Sequence, residues 1–294
     1  MNISMGNAFI ANPFAYKVNE RRIKRVRKYL GKDFQIFYTT IGSNGFYIPG
    51  YNPSDFERVY VIGGDGTLNG FVNLSLRFQH IPEIAWIPSG TGNGYCVALH
   101  QPIDFDETLE LALYGQARPV DLIHVTEPFD RYVLNLFDVG FMAYSLKLKN
   151  LMGKGMLVHT VCAFSALKNF ERFTLENCVL DGKVIVEKEE ISCIAVGKGI
   201  TPSRFPLLEV LPGGNLDDGE MRLAIYPKDK ARLFAIGMKI LGGGLISRAE
   251  ESGKCLEMTC SPANVQYDGN YAGSRKGARY KMHVEPGKIK LIRP

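Results

Sequence analysis

The chain has 294 residues, a net charge of +5, 46% hydrophobic residues and 22% charged residues. That balance fits a folded globular protein and excludes disordered and fibrous classes; no apolar run reaches the roughly 18 residues of a membrane-spanning helix. The length suggests two domains.

The first 125 residues alternate between strand and helix periods. Ala8–Ala11 reads as a short buried strand ahead of Asn12-Pro13, and residues 19–30 as an amphipathic helix with Ile23, Val26 and Leu30 on one face. Phe34–Thr40 is β-rich. Val59–Ile62 is a buried strand ended by Gly63-Gly64, after which Leu68, Phe71, Val72 and Leu76 recur at helical spacing. Ile84–Ile87 is a strand stopped by Pro88, residues 106–114 are helical, and Val120–Val125 is a strand again. This alternation predicts a parallel sheet with helices on both faces, whose ligands sit at the carboxyl ends of the strands. Beyond residue 125 strands dominate: 132–137, 178–180, 183–186, 191–196, 221–225, 255–260, 280–284 and 289–292. Asp181-Gly182 is a hairpin signal. Only 145–170 and 229–242 look helical. The expected division is an α/β nucleotide-binding domain over 1–125 and a mostly antiparallel, β-sandwich-like domain over 126–294. The last strand, about 286–294, is free to pair with either.

Charge is concentrated in residues 17–32, where eight basic residues stand against one acid, so the remainder is slightly acidic. The segment reads as a solvated helix face, with phosphates or an anionic membrane surface as its functional alternatives and nucleic acid disfavoured. The N-terminus lacks the basic-then-apolar pattern of a secretory signal. Six cysteines (Cys96, Cys162, Cys178, Cys193, Cys255, Cys260) show no C-x-x-C spacing, which disfavours a zinc ribbon or disulfide scaffold and fits a reducing cytoplasm.

The most informative segment is Gly63-Gly64-Asp65-Gly66-Thr67, between a buried strand and a helix. Its glycines let a ligand approach the backbone, and the helix N-terminus presents N–H groups and a positive dipole end to an anion. Asp65 would place a carboxylate beside phosphates, which makes sense with magnesium between them; Thr67 can cap the helix or bond a phosphate. Taken alone, the segment reads as a tight strand-to-helix turn with an Asp/Thr cap. A second loop, Ser89-Gly90-Thr91-Gly92-Asn93-Gly94, also follows a strand, and two such loops at adjacent strand ends form one anion cradle. There is no Walker-type loop, no G-x-G-x-x-G after the first strand, no G-x-S-x-G and no H-E-x-x-H, and the five histidines are scattered.

V-I-G-G-D-G-T-L-N at 61–69 followed by I-P-S-G-T-G-N at 87–93 resembles the diacylglycerol kinase catalytic domain, a family of bacterial lipid kinases, sphingosine and ceramide kinases related more distantly to NAD kinases. Ile10-Ala11-Asn12-Pro13, Val120-Asp121-Leu122, P-G-G-N-L-D-D-G at 212–219 and V-Q-Y-D-G at 265–269 resemble further family landmarks, in order along nearly the whole chain. The resemblance implies an ATP-dependent, magnesium-requiring kinase that phosphorylates a lipid hydroxyl of diacylglycerol or sphingoid type. It implies that Asn12, Gly63, Gly64, Gly66, Thr67, Ser89, Gly90, Thr91 and Asn93 hold the nucleotide, and that Asp65 acts through magnesium. Asp268 matches the general base. Asp217 and Asp218 match a turn that holds a structural magnesium in some members, with a plain Asp-Asp-Gly turn as the alternative.

Four positions that are usually acidic in the family are neutral here: Gly70, Gly94, Met142 and Asn270. A nucleotide- or lipid-binding relative without activity is therefore one alternative, and a soluble-substrate kinase of the NAD kinase branch another. Residues 145–170 and 228–248 mix apolar side chains with lysines and arginine, consistent either with helices packed on a sheet or with peripheral contact to anionic lipid. The oligomeric state is not legible.

Overall fold

The computed structural model describes residues 6–15, 18–30, 34–42, 45–90, 92–102, 104–153, 158, 161–162, 165–166, 169–198, 211, 214–229 and 248–294. Several sequence expectations lie outside these residues: Thr91, the helix at 229–242 beyond its first residue, much of 154–168, and Pro212-Gly213. The chain divides into two compact units, one of residues 1–120 with 287–294, the other of 121–286.

In the first unit, β1 (Gly6–Ala11), β2 (Phe34–Tyr38), β5 (Phe56–Gly63) and β6 (Glu83–Pro88) form a parallel sheet in the order β2-β1-β5-β6. Between β2 and β5 lies a small hairpin, β3 (Thr40–Gly42) and β4 (Gly45–Tyr47). Period-two alternation divides the strands between two faces. Phe9, Ala11, Tyr60, Ile62, Ala85 and Ile87 pack with Val26 of α1 (Glu20–Leu30) and with Leu109 and Ala112 of α4 (Phe105–Tyr114). Ile10, Val59, Val61 and Trp86 point the other way and are equally buried. Helix α2 (Asp65–Ser75) buries Leu68, Phe71 and Val72 at the expected spacing. Asp104 caps α4 by accepting the Asp106 and Glu107 N–H groups at 2.8 and 3.3 Å, and burial of Val26 beneath a ring of exposed basic side chains makes α1 amphipathic as its spacing predicts.

Chain order puts β2 on one side of β1 and β5 on the other. The winding therefore reverses between β1 and β5, which is where sheets of this kind leave a crevice at their carboxyl edge.

The chain passes from the first unit into the second along β7 (Ala117–Glu127) and returns along β17 (Ala278–Ile292), whose end lies parallel to β6 with Leu291 opposite Ile84. The second unit is antiparallel: β9 (Leu136–Gly140), β10 (Phe173–Leu180), β11 (Lys183–Gly197), β12 (Met221–Pro227), β14 (Cys255–Cys260), β15 (Ala263–Tyr267) and β16 (Asn270–Arg275) share one ladder, with β13 (Arg248–Gly253) beside β12. Val139, Leu175, Ile194, Leu223, Met258 and Val265, each from a different strand, meet in one core. Strands expected separately at 183–186 and 191–196 are one strand, as are 280–284 and 289–292. The turn at Asp181-Gly182 has both residues at positive φ, as the tight hairpin requires. The helix expected from 145 starts at Phe141 and runs to Met152 (α5), because Gly140 ends β9 at φ 109°, with no room there for a side chain. The six cysteines form no disulfide.

Candidate functional site

The parallel register sets Ala11 beside Ile62 and Gly63 beside Pro88, so the segments that follow three strands emerge side by side. Asn12 bridges two of them: its Nδ2 donates to Thr67 Oγ1 at 2.7 Å, and its Oδ1 accepts the Phe14 N–H at 2.9 Å. The Gly63 carbonyl accepts both the Ser89 N–H at 2.8 Å and the Trp86 Nε1–H at 3.1 Å, fixing the ends of β5 and β6.

The two glycine loops touch backbone to backbone. A Cβ on Gly90 would lie 2.6 Å from the Gly64 Cα, and a Cβ on Gly64 would lie 3.1 Å from the Gly90 Cα. Gly63 is equally constrained, since its Cβ would meet the Thr67 side chain at 2.5 Å. Asn93, at φ 47°, closes the second loop on itself by accepting the Gly90 N–H and donating to the Gly90 carbonyl. Gly64 caps α2 with no side chain of its own, so the positive end of the helix dipole is presented at the loop. Ser89, Asn93 and Thr67 are all buried.

Asp65 has a role that spacing does not reveal. Its oxygens accept the Gly94 N–H at 3.2 Å and the Tyr95 N–H at 3.1 Å, so it caps the short helix α3 (Tyr95–Ala98) and ties the second loop to the first. Arg22 is a site residue the sequence reading placed only in a basic face. Its Nη1 reaches Ser89 Oγ at 3.5 Å and its guanidinium lies 4.6 Å above the Phe105 ring. Burial lowers its pKa, against the opposing charges of Asp104 and Asp106. Its neighbour Arg25 is engaged with Asp106 at 2.7 Å.

Gly70 has a packing reason. A Cβ there would fall 2.5 Å from the Phe46 ring, which the β3–β4 hairpin lays on α2. A side chain at this position has to displace that ring.

In the second unit Asp268 occupies the two-residue turn between β15 and β16, at φ 44° with Gly269 at φ 75°. Its carboxylate accepts three backbone N–H groups, from Leu134 at 2.7 Å, Asn135 at 2.8 Å and Leu136 at 2.9 Å, and its own N–H donates to the Leu136 carbonyl. Beneath the turn, Gln266 links the Gly269 N–H at 3.2 Å to the fully buried carboxyl of Asp138. Burial pushes Asp138 up to about 8, against the hydrogen bonds from Gln266 and the Ala143 N–H. Burial, reinforced by Asp138, likewise raises the Cys193 thiol well above its ordinary range. Met142 adds to an apolar cluster around Phe170 and Tyr226.

The Asp217–Asp218 turn differs from expectation. The cation beside it is the Lys198 ammonium, fully buried, with Asp218 Oδ1 at 2.6 Å, Asp121 Oδ2 at 2.8 Å and the Glu220 carbonyl at 2.6 Å. Asp218 also holds Arg222 at 2.7 Å, and Asp121 accepts the Gly219 N–H at 2.7 Å. Burial alone would raise the Asp218 carboxyl, but Lys198, the Glu220 N–H and Arg222 together bring it below its usual range. A magnesium ion here would have to displace a positive charge already surrounded by oxygens, so this turn does not fit one. The lysine was missed because it lies far from the motif in sequence.

Residues 7–125 match the model of the diacylglycerol kinase catalytic domain. The chain is 29% identical over 257 residues to a diacylglycerol kinase of Staphylococcus carnosus, covering 79% of this chain and 76% of that protein. It is 26% identical over 252 residues to one from Staphylococcus haemolyticus, covering 79% and 71%. A crystal structure of a diacylglycerol kinase from Bacillus anthracis superposes with a TM-score of 0.72 at 18% identity, over 99% of this chain and 97% of that one, a likeness that shows the fold. The family resemblance drawn from the motifs is borne out.

Proposed function

We propose, from a catalytic-domain match to the diacylglycerol kinase family, that this chain is an ATP-dependent lipid kinase acting on a diacylglycerol- or sphingoid-type hydroxyl. The observation that carries the reading is the paired glycine loop at the carboxyl ends of β5 and β6, where the Gly64 backbone comes too close to Gly90 for a side chain there. Such a cradle admits phosphate oxygens to backbone N–H groups at a helix N-terminus.

In this reading Asn12, Gly63, Gly64, Gly66, Thr67, Ser89, Gly90, Thr91 and Asn93 hold the nucleotide. Arg22, over Ser89, adds positive charge at the same loop. Magnesium, when bound with ATP, supplies charge neutralisation of the transferring phosphoryl group. Asp65 is the carboxylate assigned to it, while ordering the second loop. Asp268 is assigned as the base that takes the proton of the lipid hydroxyl; a loose transition state asks for proton transfer only late, so a carboxylate held by three N–H groups suffices. Neither aspartate of the 217–218 turn is assigned to metal.

Peripheral attachment to anionic lipid is proposed from two features. Arg21, Lys24, Arg27 and Lys28 of α1 are exposed. Leu151 and Met152 at the end of α5 are also exposed, on the helix that carries Lys147 and Lys149. No helix among the described residues is long and apolar enough to cross a membrane.

A second reading, a nucleotide-binding relative without transfer, is favoured by the Asp268 carboxylate being taken up by three backbone donors and by the Phe46 ring packing where an acid at position 70 would begin. Incubation with γ-labelled ATP, magnesium and detergent-dispersed diacylglycerol or sphingoid base separates the two. Label in a lipid product supports the kinase; nucleotide binding without label in any lipid supports the second reading.

A further inference from the structure

We propose that His124, His283 and Glu285 form a binding site for a divalent transition-metal cation of the zinc class. The three lie in the second unit, outside every residue assigned above, and their ligand atoms all fall within 4.8 Å of one another, the one such group among the described residues.

Strand geometry produces the cluster. His283 and Glu285 are two apart on β17 and share a face. His124 comes from β7. Its Nδ1 is 3.0 Å from Glu285 Oε1, and His283 Nε2 is 3.6 Å from the same oxygen. Ligands at about 2.0–2.1 Å from a tetrahedral zinc stand roughly 3.3–3.4 Å apart, so the two spacings bracket the required one with no rearrangement of backbone.

The hydrogen bonding of His124 is the sharper argument. Its Nε2 faces the Asp130 carboxylate at 2.6 Å while its Nδ1 faces that of Glu285 at 3.0 Å. A neutral imidazole has one N–H and can serve only one of them. With one proton, on Nε2 and donated to Asp130, Nδ1 and Glu285 oppose lone pair to lone pair, and either a second proton on the ring or a metal cation between them relieves that opposition. A carboxylate on the outer nitrogen of a ligating histidine is the usual way of fixing its tautomer and strengthening it as a donor. Glu285 is oriented in turn by the Tyr132 hydroxyl, which donates to Oε1 at 3.0 Å, and the Tyr132 ring stacks on His124 at 4.2 Å. His283 is 38% exposed and Asp130 84%, which leaves a path for a hydrated ion.

Two imidazoles and a carboxylate suit zinc and its first-row neighbours, whereas magnesium and calcium prefer all-oxygen shells. The site joins the strand by which the chain enters the second unit to the strand by which it leaves, so a bound ion acts as a clamp between them.

The test titrates the metal-stripped full-length chain with zinc chloride by calorimetry in a phosphate-free buffer containing 5-fold excess magnesium, with stoichiometry from native mass spectrometry and melting temperature recorded alongside. The expectation is one zinc per chain, micromolar or tighter, with a raised melting temperature. His283→Asn and Glu285→Gln should each weaken binding at least 10-fold, and Asp130→Asn 10- to 100-fold; these positions are exposed or half-exposed, and circular dichroism checks that each variant is folded. Cys255 lies opposite His283 on β14, so Cys255→Ser serves as the thiol control and should bind as the parent does. Absence of saturable zinc binding, loss of binding in Cys255→Ser, or unchanged affinity in folded His283→Asn and Glu285→Gln would each overturn the proposal.

Discussion

Replacing Lys198 by methionine removes the ammonium while keeping most of the side-chain volume. Lys198 and Asp121 are both within 3% of full burial, and Asp218 is about one-fifth exposed. Methionine therefore leaves Asp121 buried without the cation beside it, while Asp218 keeps Arg222. Breaking one side of a buried pair costs about 3–5 kcal/mol. For a unit of this size that is roughly 6–20 °C in melting temperature, at about 2–4 °C per kcal/mol. Urea unfolding of Lys198→Met should show a lower midpoint with an unchanged slope. Adding Asp121→Asn removes the stranded charge and should recover a large part of the loss, giving a coupling energy of well over 1 kcal/mol. Lys198→Ala goes further: it opens space between carboxylates and a carbonyl, a donor set suited to magnesium. That variant should gain stability in millimolar magnesium through this cluster where the parent does not. A methionine variant within 1 kcal/mol of the parent, or a double variant no better than the single, would refute the assignment of Lys198 as the internal cation.

Asp138 should make stability fall with pH. The folded protein holds its proton up to about 8, while an unfolded aspartate loses it near 4. Between those values the folded state binds more protons, so stability declines as pH rises through the window and levels above it, by about 1.4 kcal/mol per unit at most. Asp138→Asn removes the slope; parallel unfolding profiles of variant and parent from pH 5 to 8 would count against a protonated Asp138. Gly90→Ala pushes a methyl against the Gly64 backbone, so it should weaken ADP binding at least 10-fold in calorimetry, and normal binding would contradict the cradle. Gly70→Glu should destabilise by about 1–3 kcal/mol through overpacking on Phe46, measured as a urea midpoint, and pairing it with Phe46→Ala should return most of that.

What the sequence disclosed was what local rules govern. Gly63, Gly64 and Gly90 are glycines because backbones meet there, and such loops stand out beside buried strands. The Asp181-Gly182 turn was legible for the same reason. What it concealed depends on pairing across the chain. Lys198 meets Asp121 and Asp218 only once β11 and β7 are in place, so local residues do not decide between the metal turn that the resemblance implies and a plain Asp-Asp-Gly turn. His124 and His283 looked scattered because β17 had not yet been laid near β7. Asp138 lies one residue past the strand expected at 132–137, and nothing local reports its complete burial. Phe46 explains Gly70 only after the β3–β4 hairpin has folded over α2.

The central claim is the proposed transfer of phosphate to a lipid, with Asp268 assigned as its base. The most direct measurement compares the parent with Asp268→Asn for both ADP affinity and label transfer from ATP to dispersed diacylglycerol. Asparagine keeps one acceptor oxygen for the Asn135 and Leu136 N–H groups but turns an amide N–H2 toward the Leu134 N–H, so circular dichroism first checks that the variant is folded. The account predicts unchanged ADP affinity with turnover lowered about 10²–10⁴-fold, the usual loss of a positioned base. Full turnover in a folded Asp268→Asn would contradict it.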